Sequence, residues 1–135
     1  MATSVYPAPP SGVLLCIDDD EDVLECEKSF LESFGFTVLT AASGSKGLEL
    51  ASAYSFDVVI VDYVMPGMNG GEVATAMRHL SPQAPIIMLS ASPDVPEQAL
   101  KLVDAFVVKD RLASQLLPAI AQVHSGWSSP AFCDA

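Results

Sequence analysis

Four short apolar runs, separated by segments of helical spacing, constrain this chain more than any other feature. Val13-Leu14-Leu15-Cys16-Ile17 ends at Asp18-Asp19-Asp20, Val58-Val59-Ile60-Val61 at Asp62, Ile86-Ile87-Met88-Leu89 at Ser90, and Phe106-Val107-Val108 at Lys109. Runs this short and this apolar suit strands covered on both faces. If the strands are parallel, their carboxyl ends share one edge of a sheet, and ligands of open α/β sheets bind at that edge. An acidic cluster, a lone aspartate, a hydroxyl and an ammonium then meet in one pocket.

The segments between the runs fit this reading. A first helix over about 21–34 has Val23, Cys26, Phe30, Leu31 and Phe34 at helical spacing, an acidic first turn, and Gly35 where a C-terminal cap belongs. A second strand spans 37–40, a second helix about 45–54, the third strand 57–61, and a third helix about 71–80. After the fourth strand at 86–89, Pro93 and Pro96 leave room only for a short helix near 97–102. The fifth strand is 105–108 and the last helix about 112–123, where Pro118 either kinks the helix or marks its start. Alternation of this kind is the signature of an α/β fold with a parallel sheet between helices.

A chain of 135 residues, 50% of them hydrophobic, makes one domain with a real core. Residues 1–11, with Pro7, Pro9 and Pro10, read as a flexible lead-in, residues 12–124 as the domain, and residues 125–135 as a loose tail whose Trp127 and Phe132 could pack on the domain or a partner. A net charge of −11 opposes nucleic acid and anionic membranes, so protein partners and cations are expected instead. No apolar run approaches the roughly 20 residues that span a bilayer, and a cytoplasmic location is expected. Cys16, Cys26 and Cys133 have no metal-ligand spacing; the first two read as buried thiols.

The acidic pocket has a chemistry of its own. Two carboxylates about 5 Å apart repel by about 3 kcal/mol at an effective dielectric of about 20, so Asp18, Asp19 and Asp62 together call for a cation or protons. Mg²⁺, which takes oxygen ligands and retains waters, fits such a cluster. Some of the run Asp18 to Asp22 can cap the first helix, but five acids exceed what capping uses. Asp62 stands at the tip of a buried strand and leads into the turn-rich loop Met65-Pro66-Gly67-Met68-Asn69-Gly70, so its carboxylate reaches a rim from which it can attack phosphorus. Ser90 and Lys109 at neighbouring strand tips can both grip a phosphoryl oxygen.

In that ordered combination, from about Gly12 to Val123, the chain resembles the receiver domain of two-component response regulators. The resemblance implies a flavodoxin-like sheet of five parallel strands, order 2-1-3-4-5, in which Asp62 is the phosphoacceptor. It implies Mg²⁺ on Asp18, Asp19, Asp62 and the backbone carbonyl of Val64, Ser90 and Lys109 as sensors of the phosphoryl group, and Phe106 at the aromatic switch position. It implies a phosphoryl donor that is a histidine kinase or histidine phosphotransfer protein, and a downstream protein partner that reads the face around helix 4, strand 5 and helix 5. The chain then acts as a stand-alone phosphorelay protein and not as an enzyme. Val64 and Ser92 fall at the lip of the pocket, where an apolar branched side chain hinders water attack on the acyl phosphate.

Two departures from the family pattern stand out. Asp110 follows Lys109 where the family usually has proline, and the stretch from Ser90 to Lys109 is about three residues short, which implies a shortened helix 4. Two other functions fit parts of the pattern. In a haloacid-dehalogenase-like phosphatase, Asp18-Asp19-Asp20 would be read as Asp-x-Asp, with Asp18 the nucleophile; a receiver-like adaptor would never be phosphorylated.

Overall fold

The computed structural model describes residues 12–124; the expected lead-in and tail, with Trp127, Phe132 and Cys133, lie outside the described residues. Strands β1 (Val13–Ile17), β2 (Thr37–Ala41), β3 (Val58–Asp62), β4 (Ile86–Ser90) and β5 (Ala105–Val108) alternate with helices α1 (Glu21–Glu32), α2 (Gly44–Ala53), α3 (Gly70–Leu80), α4 (Glu97–Leu100) and α5 (Leu112–Val123). All strands are parallel, in the order β2-β1-β3-β4-β5. This is the flavodoxin-like order. The chain winds outward from β1 to β2, then crosses back past β1 to β3, and that reversal opens a crevice at the carboxyl edge. Asp18 follows β1 and Asp62 ends β3, so the two flank the crevice.

Side chains alternate across the sheet and feed two cores. Leu14, Cys16, Val58, Ile60, Ile87, Leu89 and Val107 face α1 and α5. Leu15, Ile17, Val59, Val61, Ile86 and Met88 face α2, α3 and α4. Every residue of β3 and β4 is buried, and each large apolar side chain buried there contributes about 1.5–3 kcal/mol. That stabilisation offsets polar residues at the strand tips.

Helix α1 begins at Asp20, whose carboxylate accepts from the backbone N–H of Asp22 and Val23; capping therefore uses the third acid of the run and leaves the first two for the crevice. The helix ends as expected. Gly35, at φ +98°, donates to Glu32 while Phe36 donates to Leu31, the paired bonds of a Schellman motif. The buried stripe of α1 is rotated from the one expected, however, and consists of Leu24, Glu27 and Leu31. Phe30 and Phe34 pack at its margin, and Cys26 is exposed, contrary to expectation. Leu24 and Leu31 offer more apolar area than Val23 and Cys26, and the helix turns them inward.

Helix α4 is a single turn, as the short β4 to β5 stretch implied. Arg78 near the end of α3 ties this region together: its guanidinium donates to the carbonyls of Leu102, Ala84 and Pro82 at 3.0, 2.7 and 3.2 Å and to Asp104 at 2.9 Å. Asp104 also accepts from the backbone N–H of Ile86 at 2.8 Å. These charge-assisted bonds fasten the segment after α4 and the loop before β4 to the end of α3. Pro118 neither starts nor stops α5, which runs through it.

Candidate functional site

The carboxyl edge brings four of the expected residues together. Asp18 is 1% exposed and fixed at both oxygens, Oδ1 accepting from the Asp20 backbone N–H at 2.9 Å and Oδ2 from the Lys109 ammonium at 2.7 Å. The same ammonium lies 3.3 Å from Asp62 Oδ1. Asp19 is exposed, and one carboxylate oxygen from each of Asp18, Asp19 and Asp62 falls within a mutual span of 4.8 Å. Three carboxylates against one ammonium leave the cluster short of positive charge.

The chain positions these groups locally. Asp62 is held at the rim because the loop behind it closes on itself: Gly70 N–H donates to the Tyr63 carbonyl at 2.7 Å, and Asn69 and Glu72 form a capping box that starts α3. A Cβ at Gly70 would stand 2.6 Å from the Asp62 carbonyl oxygen and 2.7 Å from Tyr63 Cα, so only glycine admits this closure. Met65 turns inward and plugs the α2–α3 core. Lys109 opens a 3₁₀ turn, Lys109–Arg111, that leads into α5. Asp110 takes the middle of that turn, and every peptide bond in the described residues is trans.

Burial and the neighbouring Asp18 charge push the Asp62 carboxyl up to about 6, against the pull of Lys109. Burial alone would lower Lys109, but its hydrogen bond to Asp18 and the charges of Asp62 and Asp18 outweigh it and the ammonium is raised. The pocket thus holds its cation tightly and still lacks charge. Oxygen donors in this number and spacing suit a hard divalent ion, and the ammonium marks where positive charge is wanted.

The other expected residues stand around this centre. Ser90, 2% exposed at the tip of β4, has its hydroxyl oxygen accepting from the Ser92 backbone N–H at 3.3 Å; no hydrogen bond joins it to Asp62 or Lys109. Val64 lies two residues beyond Asp62 and is 67% exposed. Phe106 is half-buried on β5 and borders a groove between β5 and α5 with Pro118 and Gln122.

Glu27 was not anticipated. It lies in the buried stripe of α1, 2% exposed, hydrogen-bonded with the Cys16 thiol, and its Oε2 has no hydrogen-bond partner among the described residues. Its spacing from Leu24 and Leu31 was the available signal, since i, i+3, i+7 places it on the inward face.

Comparison with known proteins agrees with this geometry. Residues 14–121 match the model of the response regulator receiver domain. The transcriptional regulatory protein PrrA of Mycobacterium tuberculosis is 33% identical over 107 residues, 77% of this chain and 46% of that protein. An uncharacterised transcriptional regulatory protein of Bacillus subtilis, YkoG, is 30% identical over 67% of this chain and 40% of its own length. The chain thus spans less than half of these two relatives. Among solved structures, the Vibrio cholerae chemotaxis protein CheY4 superposes with a TM-score of 0.78 at 30% identity, covering 84% of this chain and 98% of that one. The Thermotoga maritima response regulator TrrA, solved in complex with Mg²⁺-BeF, gives 0.79 at 29% identity, covering 83% and 98%. With the acidic crevice at the β1/β3 switch point and the family match over most of its length, this chain belongs to the response regulator receiver domains.

Proposed function

We propose that the chain accepts a phosphoryl group on Asp62 from the phosphohistidine of a histidine kinase or histidine phosphotransfer protein. The observation that carries this reading is the meeting of Asp18, Asp19, Asp62 and Lys109 at the switch-point crevice. An Asp62 carboxylate oxygen attacks phosphorus, the P–O bond forms as the P–N bond breaks, and the imidazole keeps the bond's electron pair and takes up a proton. Asp18, Asp19, Asp62 and the Val64 carbonyl would hold Mg²⁺, which supplies positive charge to the phosphoryl oxygens when bound. Lys109, already 3.3 Å from Asp62, is placed to meet a second oxygen, and Ser90 on the adjacent strand tip a third.

The signal then leaves through protein contacts. Phe106, half-buried and packed against the core on the α3 and α4 side of the sheet, would be the aromatic group that reports occupancy to a downstream protein. The reading also places the protein in the cytoplasm; no helix in the described residues is long and apolar enough to cross a membrane. Asp18 is a poor candidate for a phosphatase nucleophile, because both of its oxygens already accept hydrogen bonds, from Asp20 and Lys109.

Acetyl phosphate with Mg²⁺ tests the assignment. Intact-mass measurement should find one added phosphoryl group on the wild type and none on Asp62→Asn. Labelling that persists in the variant overturns it.

A further inference from the structure

Glu27 is the one buried carboxyl among the described residues that the phosphoacceptor reading leaves without a part. An apolar side chain in the middle of the α1 stripe would pack there without losing hydration, whereas a carboxyl loses it and then answers to every nearby charge. The charges are close at hand. From β1 the Cys16 thiol hydrogen-bonds it, and Asp18 at the end of β1, Asp62 at the end of β3 and Lys109 at the end of β5 all act on it. Helix α5 brings only apolar residues to the same core, Leu116, Leu117, Ala119 and Ile120. Cys16 stands two residues before Asp18, on the face of the sheet that packs against α1, so the buried inward face of α1 that carries Glu27 adjoins the pocket from behind.

We propose that Glu27 is a positioning residue of the phosphoacceptor pocket: by holding or releasing a proton behind the sheet edge, it sets how strongly Asp18, Asp19 and Asp62 bind a divalent cation. The proposal rests on the cation site described above. Burial and the Asp18 charge push Glu27 up to about 7, opposed by Lys109 and the Cys16 hydrogen bond, so both protonation states are accessible near neutrality. A cation on the three aspartates cancels their repulsion and favours ionised Glu27, whose proton goes to solvent. Linkage makes the effect reciprocal, and ionised Glu27 tightens cation binding. A phosphoryl group on Asp62 adds negative charge and favours the protonated form. Glu27 thereby couples the occupancy of the pocket to pH.

Calorimetric titration with MgCl₂ in two buffers of different ionisation enthalpy counts the protons released. Near pH 7 the wild type should release about half a proton per ion more than Glu27→Gln, which keeps shape and polarity but cannot ionise. Between about pH 6 and pH 8 the wild-type affinity should rise about fivefold more than that of the variant. Equal proton release in the two proteins overturns the proposal while leaving the cation site intact; no magnesium binding to the wild type at any pH overturns the cation site itself. Should Glu27→Gln fail to fold, ¹³C NMR of the wild-type Glu27 carboxyl decides. Its titration midpoint should fall by about one pH unit in saturating Mg²⁺, and a midpoint that Mg²⁺ does not move refutes the coupling.

Discussion

Replacing Asp62 with asparagine should stabilise the protein when divalent ions are absent, although it removes the residue proposed to carry the phosphoryl group. Asp62 is 4% exposed and lies beside Asp18, with Lys109 as its cationic neighbour. Its carboxyl rises from the ordinary 3.8 to about 6 in the folded protein, so the folded state holds the proton more tightly than the unfolded one. Stability therefore falls as pH rises from about 4 to about 6, and the penalty persists undiminished above that window. At about 1.4 kcal/mol for each tenfold change in proton affinity, the full penalty is about 3 kcal/mol. An amide is a weaker partner for Lys109 than a carboxylate, which reduces the net gain to about 2 kcal/mol. Urea denaturation near pH 7.5 in a chelator should place the Asp62→Asn midpoint about 1 M above the wild type, given slopes of about 1–3 kcal/mol per molar. Near pH 4 the two curves should converge. A variant less stable than wild type at the higher pH, or a difference that acidification leaves unchanged, would refute the claim that the pocket is electrostatically strained.

Two further outcomes follow from particular contacts. Arg78→Ala removes the bonds to three carbonyls and Asp104 that hold the one-turn α4; it should cost about 2–3 kcal/mol, and hydrogen exchange should quicken most at residues 97–104. Val64, 67% exposed beside the pocket, offers water no hydrogen bond, so after removal of the donor the phosphorylated wild type should outlast Val64→Asn by on the order of a few-fold; equal or faster decay in the wild type would show that Val64 shields nothing.

Much of the fold was legible because strand tips and helix caps announce themselves locally. The run of five apolar residues before Asp18 became β1 without adjustment, and Gly35 took the positive φ that its place after the α1 pattern required. The short α4 followed from chain length and two prolines. The rotation of α1 was harder to read, because Val23 and Cys26 compete with Leu24 and Glu27 for the inward face, and only tertiary packing against the sheet decides between them. Hydrophobic scoring counts a glutamate as solvent-facing, so the inward place of Glu27 shows only in its i, i+3, i+7 spacing with Leu24 and Leu31. Pro118 illustrates the opposite case: local rules count it against a helix interior, yet α5, apolar along its buried face from Leu116 to Ile120, is held by packing and continues through it.

The site was legible to the level of residue type and strand position. Asp18, Asp19, Asp62 and Lys109 converge as their strand tips implied. The direct grip of Lys109 on Asp18 depends on the 3₁₀ turn through Asp110, and neither spacing nor composition specifies that geometry.

Chemical mapping of the acyl phosphate tests the central claim most directly. The protein is phosphorylated with acetyl phosphate and Mg²⁺, reduced with borohydride, digested and sequenced by mass spectrometry, which converts the phosphorylated aspartate to homoserine at its position in the chain. Conversion confined to position 62 is the predicted result. Conversion at position 18 or 19, or none at all under conditions where Mg²⁺ binds, would contradict the account.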